Sequence, residues 1–215
     1  PPVRLQAVPR WRSCAARQRW SRTLPHSGGA RYTSEPPAPE RGHERGMNIL
    51  LLSDSHGHPD RIREAAERTR PDCILFAGDG LRDLAGAHTA PDVPVYAVRG
   101  NCDAQWDPLT AQYPEEQILV LDGVRILLTH GHTLGVKSGA GRAVAHAVSL
   151  QADVLVFGHT HEVFECGFRP DAAASALQTA RPLLACNPGS IGRYPHSFGT
   201  LTLRDGQVLF SSGTL

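Results

Sequence analysis

The chain has 215 residues, 40% hydrophobic and 20% charged, with a formal net charge of +1, enough for one soluble domain with a real core. Residues 1–46 carry nine Arg against three Glu, and the remainder carries 13 basic against 18 acidic residues. The folded part is therefore mildly acidic and gives no electrostatic reason to expect a nucleic-acid partner.

The first 46 residues are Pro- and Arg-rich without hydrophobic periodicity, so they are expected to be disordered. Met47 is the only methionine and directly precedes the first apolar run. The Arg-heavy, Lys-poor composition suggests a GC-rich gene, so the leading expectation is that Met47 is the true start. A transit peptide is the second reading. A nucleic-acid-binding arm using Trp11 and Trp20 is the third.

From Met47 onward, residues 47–53 read as a buried strand. Pro59-Asp60 opens a helix with Ile62, Ala65, Ala66 and Thr69 on one face, and Pro71-Asp72 stops it. Residues 73–77 form a second strand, 81–87 a short helix and 93–98 a third strand. This rhythm predicts a parallel or mixed sheet with crossover helices. The second half changes to hairpins. Residues 117–121 and 124–129 flank Asp122-Gly123, a strong hairpin signal. A helix is expected over 138–150, a strand over 153–157 with 162–168 as its partner, and an Ala-rich loop over 169–180. Strands over 182–186, 199–204 and 207–211 close the chain, the last two joined by Asp205-Gly206.

Five cysteines (Cys14, Cys73, Cys102, Cys166 and Cys186) are irregularly spaced without C-x-x-C. Their odd number favours free thiols and a reducing, cytoplasmic setting. No apolar run approaches the roughly 18 residues of a membrane span.

Five apolar runs end in Gly with Asp, Asn or His: Ser53-Asp54-Ser55-His56-Gly57, Gly78-Asp79-Gly80, Gly100-Asn101-Cys102-Asp103, Thr129-His130-Gly131-His132 and Gly158-His159-Thr160-His161. In open α/β proteins ligands collect at the carboxyl ends of strands. The polar residues there are Asp54, His56, Asp79, Asn101, His130, His159 and His161: two carboxylates, one amide and four imidazoles. Oxygen and imidazole donors without thiolate suit Mn²⁺, Fe²⁺, Co²⁺, Ni²⁺ or Zn²⁺. Seven donors exceed one tetrahedral ion but fit two ions sharing a carboxylate, the clamp used for displacement at phosphorus. In Asp54-x-His56 and His159-x-His161, residues two apart share one face if extended. Each motif alone is more often an ordinary turn; a lone Asp-x-His is usually a turn Asp beside a surface His. Their order, each after an apolar run, removes coincidence.

This order resembles the calcineurin-like metallophosphoesterase superfamily. Gly100-Asn101-Cys102-Asp103, Leu128-Thr129-His130-Gly131-His132, Gly158-His159-Thr160-His161 and Asn187-Pro188-Gly189-Ser190 are similar to its YfcE-type phosphodiesterase branch, which is related to the retromer subunit Vps29. The resemblance covers residues 47–215, taken as the metallophosphoesterase domain. It implies an α/β (α+β mixed) four-layer αββα sandwich, two mixed sheets flanked by helices. It also implies two divalent metal ions, Mn²⁺ first, with Ni²⁺, Fe²⁺, Co²⁺ or Zn²⁺ as alternatives. Asp54, His56, Asp79 and His161 would hold one ion; Asp79 as bridge, Asn101, His130 and His159 would hold the other. Asn101 and Asp103 would serve catalysis, Asp103 by orienting Asn101 or a neighbouring group. Cys102, His132, Asn187 and Ser190 would shape the substrate site.

Many superfamily phosphatases have His where this chain has Cys102. A thiol carries no positive charge for a monoester dianion and is a mediocre acid. The expected activity is therefore hydrolysis of a small phosphodiester by a metal-bridging hydroxide. His132, His58 and His196 are alternative proton donors. The competing readings are a phosphomonoesterase and a non-catalytic scaffold of the Vps29 kind. A homodimer through a sheet edge is a further expectation.

Overall fold

A computed structural model describes residues 46–168 and 182–215; the expectations for residues 1–45 and for a loop over 169–180 fall outside them. The first half comprises β1 (Met47–Leu52), α1 (Pro59–Thr69), β2 (Cys73–Phe76), α2 (Leu81–Gly86) and β3 (Val95–Ala97). The second comprises β4 (Glu116–Leu121), β5 (Val124–Thr129), a 3₁₀ turn (Val136–Ser138), α3 (Gly141–Ser149), β6 (Val154–Val156), β7 (Val163–Phe168), β8 (Leu183–Pro188), β9 (Ser197–Arg204) and β10 (Gln207–Thr214).

β1 is apolar at nearly every position because both its faces are covered. Ile49 and Leu51 point into the space between the sheets, and Leu50 and Leu52 pack under α1 and α2. α1 starts at Pro59, whose missing N–H costs nothing in a first turn, and buries Ile62 and Ala65. It ends at Arg70 in the left-handed conformation, where the Arg70 N–H bonds the Ala66 carbonyl. Each fully buried Leu or Ile in these layers contributes about 1.5–3 kcal/mol.

Two five-stranded sheets result, in the orders β10-β9-β1-β2-β3 and β4-β5-β6-β8-β7. The core between them joins Ile49, Leu51 and Leu75 of the first to Ile126, Leu128 and Val156 of the second. Leu127, Leu155 and Phe157 face the other way and pack against Ala143, Val144 and Ala147 of α3. This is the expected four-layer αββα sandwich. β1, β2 and β3 run parallel, as do β5, β6 and β8. No helix among the described residues is long and apolar enough to cross a membrane.

The Asp122-Gly123 and Asp205-Gly206 turns have φ of 46° and 76°, and of 50° and 70°, the positive pair that a two-residue hairpin favours. Two expectations are corrected. β7 does not pair with β6: β8 lies between them, parallel to β6 and antiparallel to β7. Side-chain alternation identifies strands but carries no information on their order. The helix expected over 138–150 is broken, because Gly139 has φ of 121°; a 3₁₀ turn precedes it and α3 begins at Gly141.

Candidate metal centre

All seven predicted donors leave the carboxyl ends of β1, β2, β3, β5 and β6, where the parallel strands of both sheets finish. The loops are stitched together through the backbone. Asp54 N–H bonds the Gly78 carbonyl, Ser55 N–H bonds that of Asp79, and Gly158 N–H bonds that of His130. The two-apart motifs do not converge by sharing an extended strand face, as the sequence suggested. Asp54, His56, Asp79, His159 and His161 all have φ between 44° and 68°, so the chain is curled at each. Such left-handed residues cost about 1–2 kcal/mol each, and strain of this kind gathers at functional sites.

The curl splits His159-x-His161 between two clusters. In one, donor atoms of Asp54, His56 and His161 lie within 4.8 Å of one another; in the other, those of Asp79, His130 and His159 do. A third group joins His56, Asp79 and Cys102 within the same distance. Asp79 therefore faces both His56 and the His130–His159 pair.

The Asp54 carboxylate is fully buried. Its Oδ2 accepts hydrogen bonds from Ser53 Oγ and from the His159 N–H at 3.0 Å. Among the described residues its Oδ1 accepts none; it looks into the first cluster, 3.1 Å from His161 Nε2 and 3.6 Å from His56 Nε2. The two Nε2 atoms stand 3.2 Å apart. A buried carboxylate oxygen without a donor, facing two imidazole nitrogens, suits a divalent cation.

In the second cluster, His130 Nδ1 lies 2.7 Å from the Ala77 carbonyl. A carbonyl only accepts, so Nδ1 holds the proton and Nε2 is turned to Asp79 Oδ2 at 3.4 Å and Asn101 Oδ1 at 3.2 Å. A backbone carbonyl that fixes the tautomer is the usual partner of a metal-binding histidine. Burial alone would raise the Asp79 pKa; the hydrogen bond and charge of His130 and the Cys102 N–H reverse this and hold it well below the carboxylate range. Burial works against His130 too, yet Asp79 and Asp54 raise its pKa. Burial and the charges of His130 and Lys137 push His159 down to about 4. Burial likewise lowers His161, against the pull of Asp54 and with the repulsion of His56 and Arg193. His159 and His161 are thus neutral at pH 7, the form that binds a metal.

Asp103 lies behind the donors. It accepts from the N–H groups of Asp79 at 2.8 Å, Gly80 at 3.0 Å, Leu81 at 2.9 Å and Gly100 at 2.9 Å. It positions the Asp79 loop and not the Asn101 side chain. Gly100 is required there, because a Cβ would stand 2.1 Å from Asp79 Oδ1. Asn187 and Ser190, expected to contact substrate, are buried instead. Asn187 Nδ2 donates to the Gly158 carbonyl at 2.9 Å and to Thr160 Oγ1 at 3.0 Å, and its Oδ1 accepts from Gly189 N–H. Ser190 Oγ donates to the Asp54 carbonyl at 2.7 Å. Both are buried and hold the backbone that carries the candidate donors.

Cys102 is exposed and Asn101 Nδ2 donates to its Sγ at 3.2 Å. Partial burial and the adjacent Asp79 push its thiol up to about 11, so it is neutral at pH 7. His132 lies 5.3 Å from His130 and 6.2 Å from His159, ring centre to ring centre, and burial with the His130 charge lowers its pKa. Sequence reasoning missed Asp83, which accepts from Ser55 Oγ at 2.6 Å and from Gly57 N–H at 2.7 Å and so fixes the turn bearing His56. Nothing in its surroundings on α2 signals this.

A family model described as the calcineurin-like phosphoesterase superfamily domain matches residues 47–206. The chain is 32% identical over 163 residues to the probable metallophosphoesterase YsnB of Bacillus subtilis, covering 74% of this chain and 86% of that protein. It is 28% identical over 179 residues to phosphodiesterase YfcE of Escherichia coli K12, covering 72% and 87%. The Vps29 structure from Cryptosporidium parvum superposes with a TM-score of 0.57 at 22% identity, covering 79% and 99%. That last likeness is one of fold.

Proposed function

This chain belongs to the calcineurin-like phosphoesterase superfamily, and on that premise we propose that it hydrolyses phosphodiesters with two divalent cations, Mn²⁺ first among them. The proposed domain runs from residue 47 to 215. Asp54, His56, Asp79 and His161 would hold one ion, and Asp79, Asn101, His130 and His159 the other. When bound, the ions supply an activated water and neutralise the oxygens on phosphorus. The observation that carries this reading is the Asp79 carboxylate, which stands within 4.8 Å of His56 donor atoms on one side and of His130 and His159 on the other.

The chain's own residues orient and select. Asp103 and the Cys102 N–H, 2.7 Å from Asp79 Oδ1, fix the shared carboxylate. Asn101 turns its amide oxygen toward His130 and donates its Nδ2 to Cys102 Sγ at the exposed end of the site. The neutral Cys102 thiol adds no charge for a second anionic oxygen on phosphorus, which favours a diester over a monoester. The phosphodiesterase name carried by the Escherichia coli relative agrees with this preference.

The test compares bis(p-nitrophenyl) phosphate with p-nitrophenyl phosphate on one preparation loaded with Mn²⁺ or Ni²⁺. A diester kcat/KM at least about tenfold higher, about 1.4 kcal/mol in the barrier, is expected. Equal or reversed values would refute diester selectivity, and no turnover of either would refute the enzyme reading.

A further inference from the structure

The third group of donors, His56, Asp79 and Cys102, shares His56 with the first cluster and Asp79 with the second. Neither proposed ion uses its sulfur. Donor atoms of the three residues lie within 4.8 Å of one another, and among the described residues Cys102 is the one cysteine in such a group. Direct contacts fix residue 102 there. Its N–H donates to Asp79 Oδ1 at 2.7 Å, and its Sγ accepts from Asn101 Nδ2 at 3.2 Å. Asp79 is buried and held in place, whereas Cys102 is exposed and the His56 side chain is 25% exposed. A tetrahedral ion about 2.0–2.3 Å from each donor sets the donors about 3.5 Å apart. Small rotations of the two accessible side chains close the remaining gap. The Asn101 N–H favours the charged form of the sulfur that it faces, and the exposed position admits an ion from solvent.

We propose that Cys102, His56 and Asp79 form a separate thiolate site for a thiophilic cation, Zn²⁺ first, and that filling it excludes the Mn²⁺ pair. Cysteine, histidine and a carboxylate are ordinary zinc ligands, and a water completes the tetrahedron. Thiolate also selects Zn²⁺ over the harder ions. As the sulfur–zinc bond forms, the thiol gives its proton to water. Mn²⁺ has little affinity for sulfur, so it leaves the thiol protonated and keeps to the two clusters. The exclusion follows from His56. A neutral imidazole has one acceptor nitrogen, so His56 serves the sulfur site or the first cluster, never both. The site stands on its own donors; the loss of catalysis on filling it rests on the phosphodiesterase reading.

Zn²⁺ outcompetes Mn²⁺ at most nitrogen and oxygen sites as well, so the sulfur bond is the discriminating signal. Zinc X-ray absorption of the metal-free full-length chain given one equivalent of Zn²⁺ reads it. The wild-type protein shows one sulfur scatterer at about 2.3 Å, and Cys102→Ser shows none. Added to the Mn²⁺-loaded protein, one equivalent of Zn²⁺ releases one Mn²⁺ per chain and abolishes the spin-coupled signal. In equilibrium competition the ratio of Zn²⁺ to Mn²⁺ affinity falls at least about tenfold in Cys102→Ser, the least that losing even an outer partner costs. A merely structural loss would lower both affinities and leave the ratio alone. A zinc shell of nitrogen and oxygen only, or an unchanged ratio in Cys102→Ser, overturns the proposal. So does sulfur-bound zinc beside an intact coupled Mn²⁺ pair. None of these measurements uses turnover. Sulfur-bound zinc in a protein that hydrolyses no diester keeps this site and sinks the phosphodiesterase reading; diester hydrolysis without sulfur-bound zinc sinks this site alone.

Discussion

An alanine at position 158 perturbs the candidate site without removing a donor. Gly158 follows β6 and precedes His159. A Cβ there would lie 1.9 Å from Ser53 Oγ and 2.9 Å from Asp54 Oδ2. Ser53 and Asp54 are both fully buried, so neither can swing out to solvent. Ser53 must rotate, so Asp54 Oδ2 loses one of its two donors. Losing a hydrogen bond to a buried charged group costs about 1.5–3 kcal/mol, and overpacking a filled core adds about 1–3 kcal/mol. A total near 4 kcal/mol lowers Tm by about 10 °C in a domain of this size. Urea unfolding of the metal-free protein measures the stability loss, and Mn²⁺ calorimetry measures the displacement of Asp54 Oδ1 as a weaker first-cluster affinity. Gly167→Ala on β7 is the control: a Cβ there meets nothing within 4 Å, and its effect stays within about 0.5 kcal/mol. Equal effects of the two substitutions, or unchanged metal affinity in Gly158→Ala, would refute the argument that Asp54 is held in place by this contact.

Asp79→Asn removes the shared carboxylate charge and is expected to weaken metal binding by more than the 10–100-fold typical of an outer partner, with most activity lost; metal analysis after gel filtration reads it. Asn187→Ala leaves the Gly189 N–H without its Asn187 acceptor and removes one of the two donors to the Gly158 carbonyl, which keeps the Thr160 N–H. It is expected to cost about 1–3 kcal/mol in urea unfolding and to lower metal affinity, although Asn187 is fully buried. Chelation of the loaded protein should lower Tm, because an ion present at 100 times its Kd stabilises the folded state by about 2.7 kcal/mol; an unchanged Tm would speak against a bound ion in the native protein.

The sheets were legible because β1, β2, β5 and β6 are short apolar runs covered on both faces, and because Asp122-Gly123 and Asp205-Gly206 impose tight turns. Strand order was not legible: β8 enters between β6 and β7 through contacts distant in sequence. At the site, residue types and order pointed to all seven donors, since few other arrangements place imidazole and carboxylate after successive strands. Their division between two clusters came only from the family resemblance, not from the spacing of the motifs. His159 and His161 go to different clusters because both residues are left-handed, a property of the folded loop. Asn187 and Ser190 looked like contact residues because they are polar and follow a strand. Burial turns them inward, where their hydrogen bonds hold Gly158 and Asp54. Asp83 lies in no motif, and only the fold brings it to the turn that bears His56.

Sharing of Asp79 between two ions is the proposal on which the metal centre depends. Mn²⁺ titration of the metal-free protein, followed by metal analysis and electron paramagnetic resonance, tests it most directly. Two equivalents per chain with a spin-coupled signal are expected, falling to one uncoupled equivalent in His161→Ala. Saturation of the wild-type protein at a single uncoupled equivalent would contradict it.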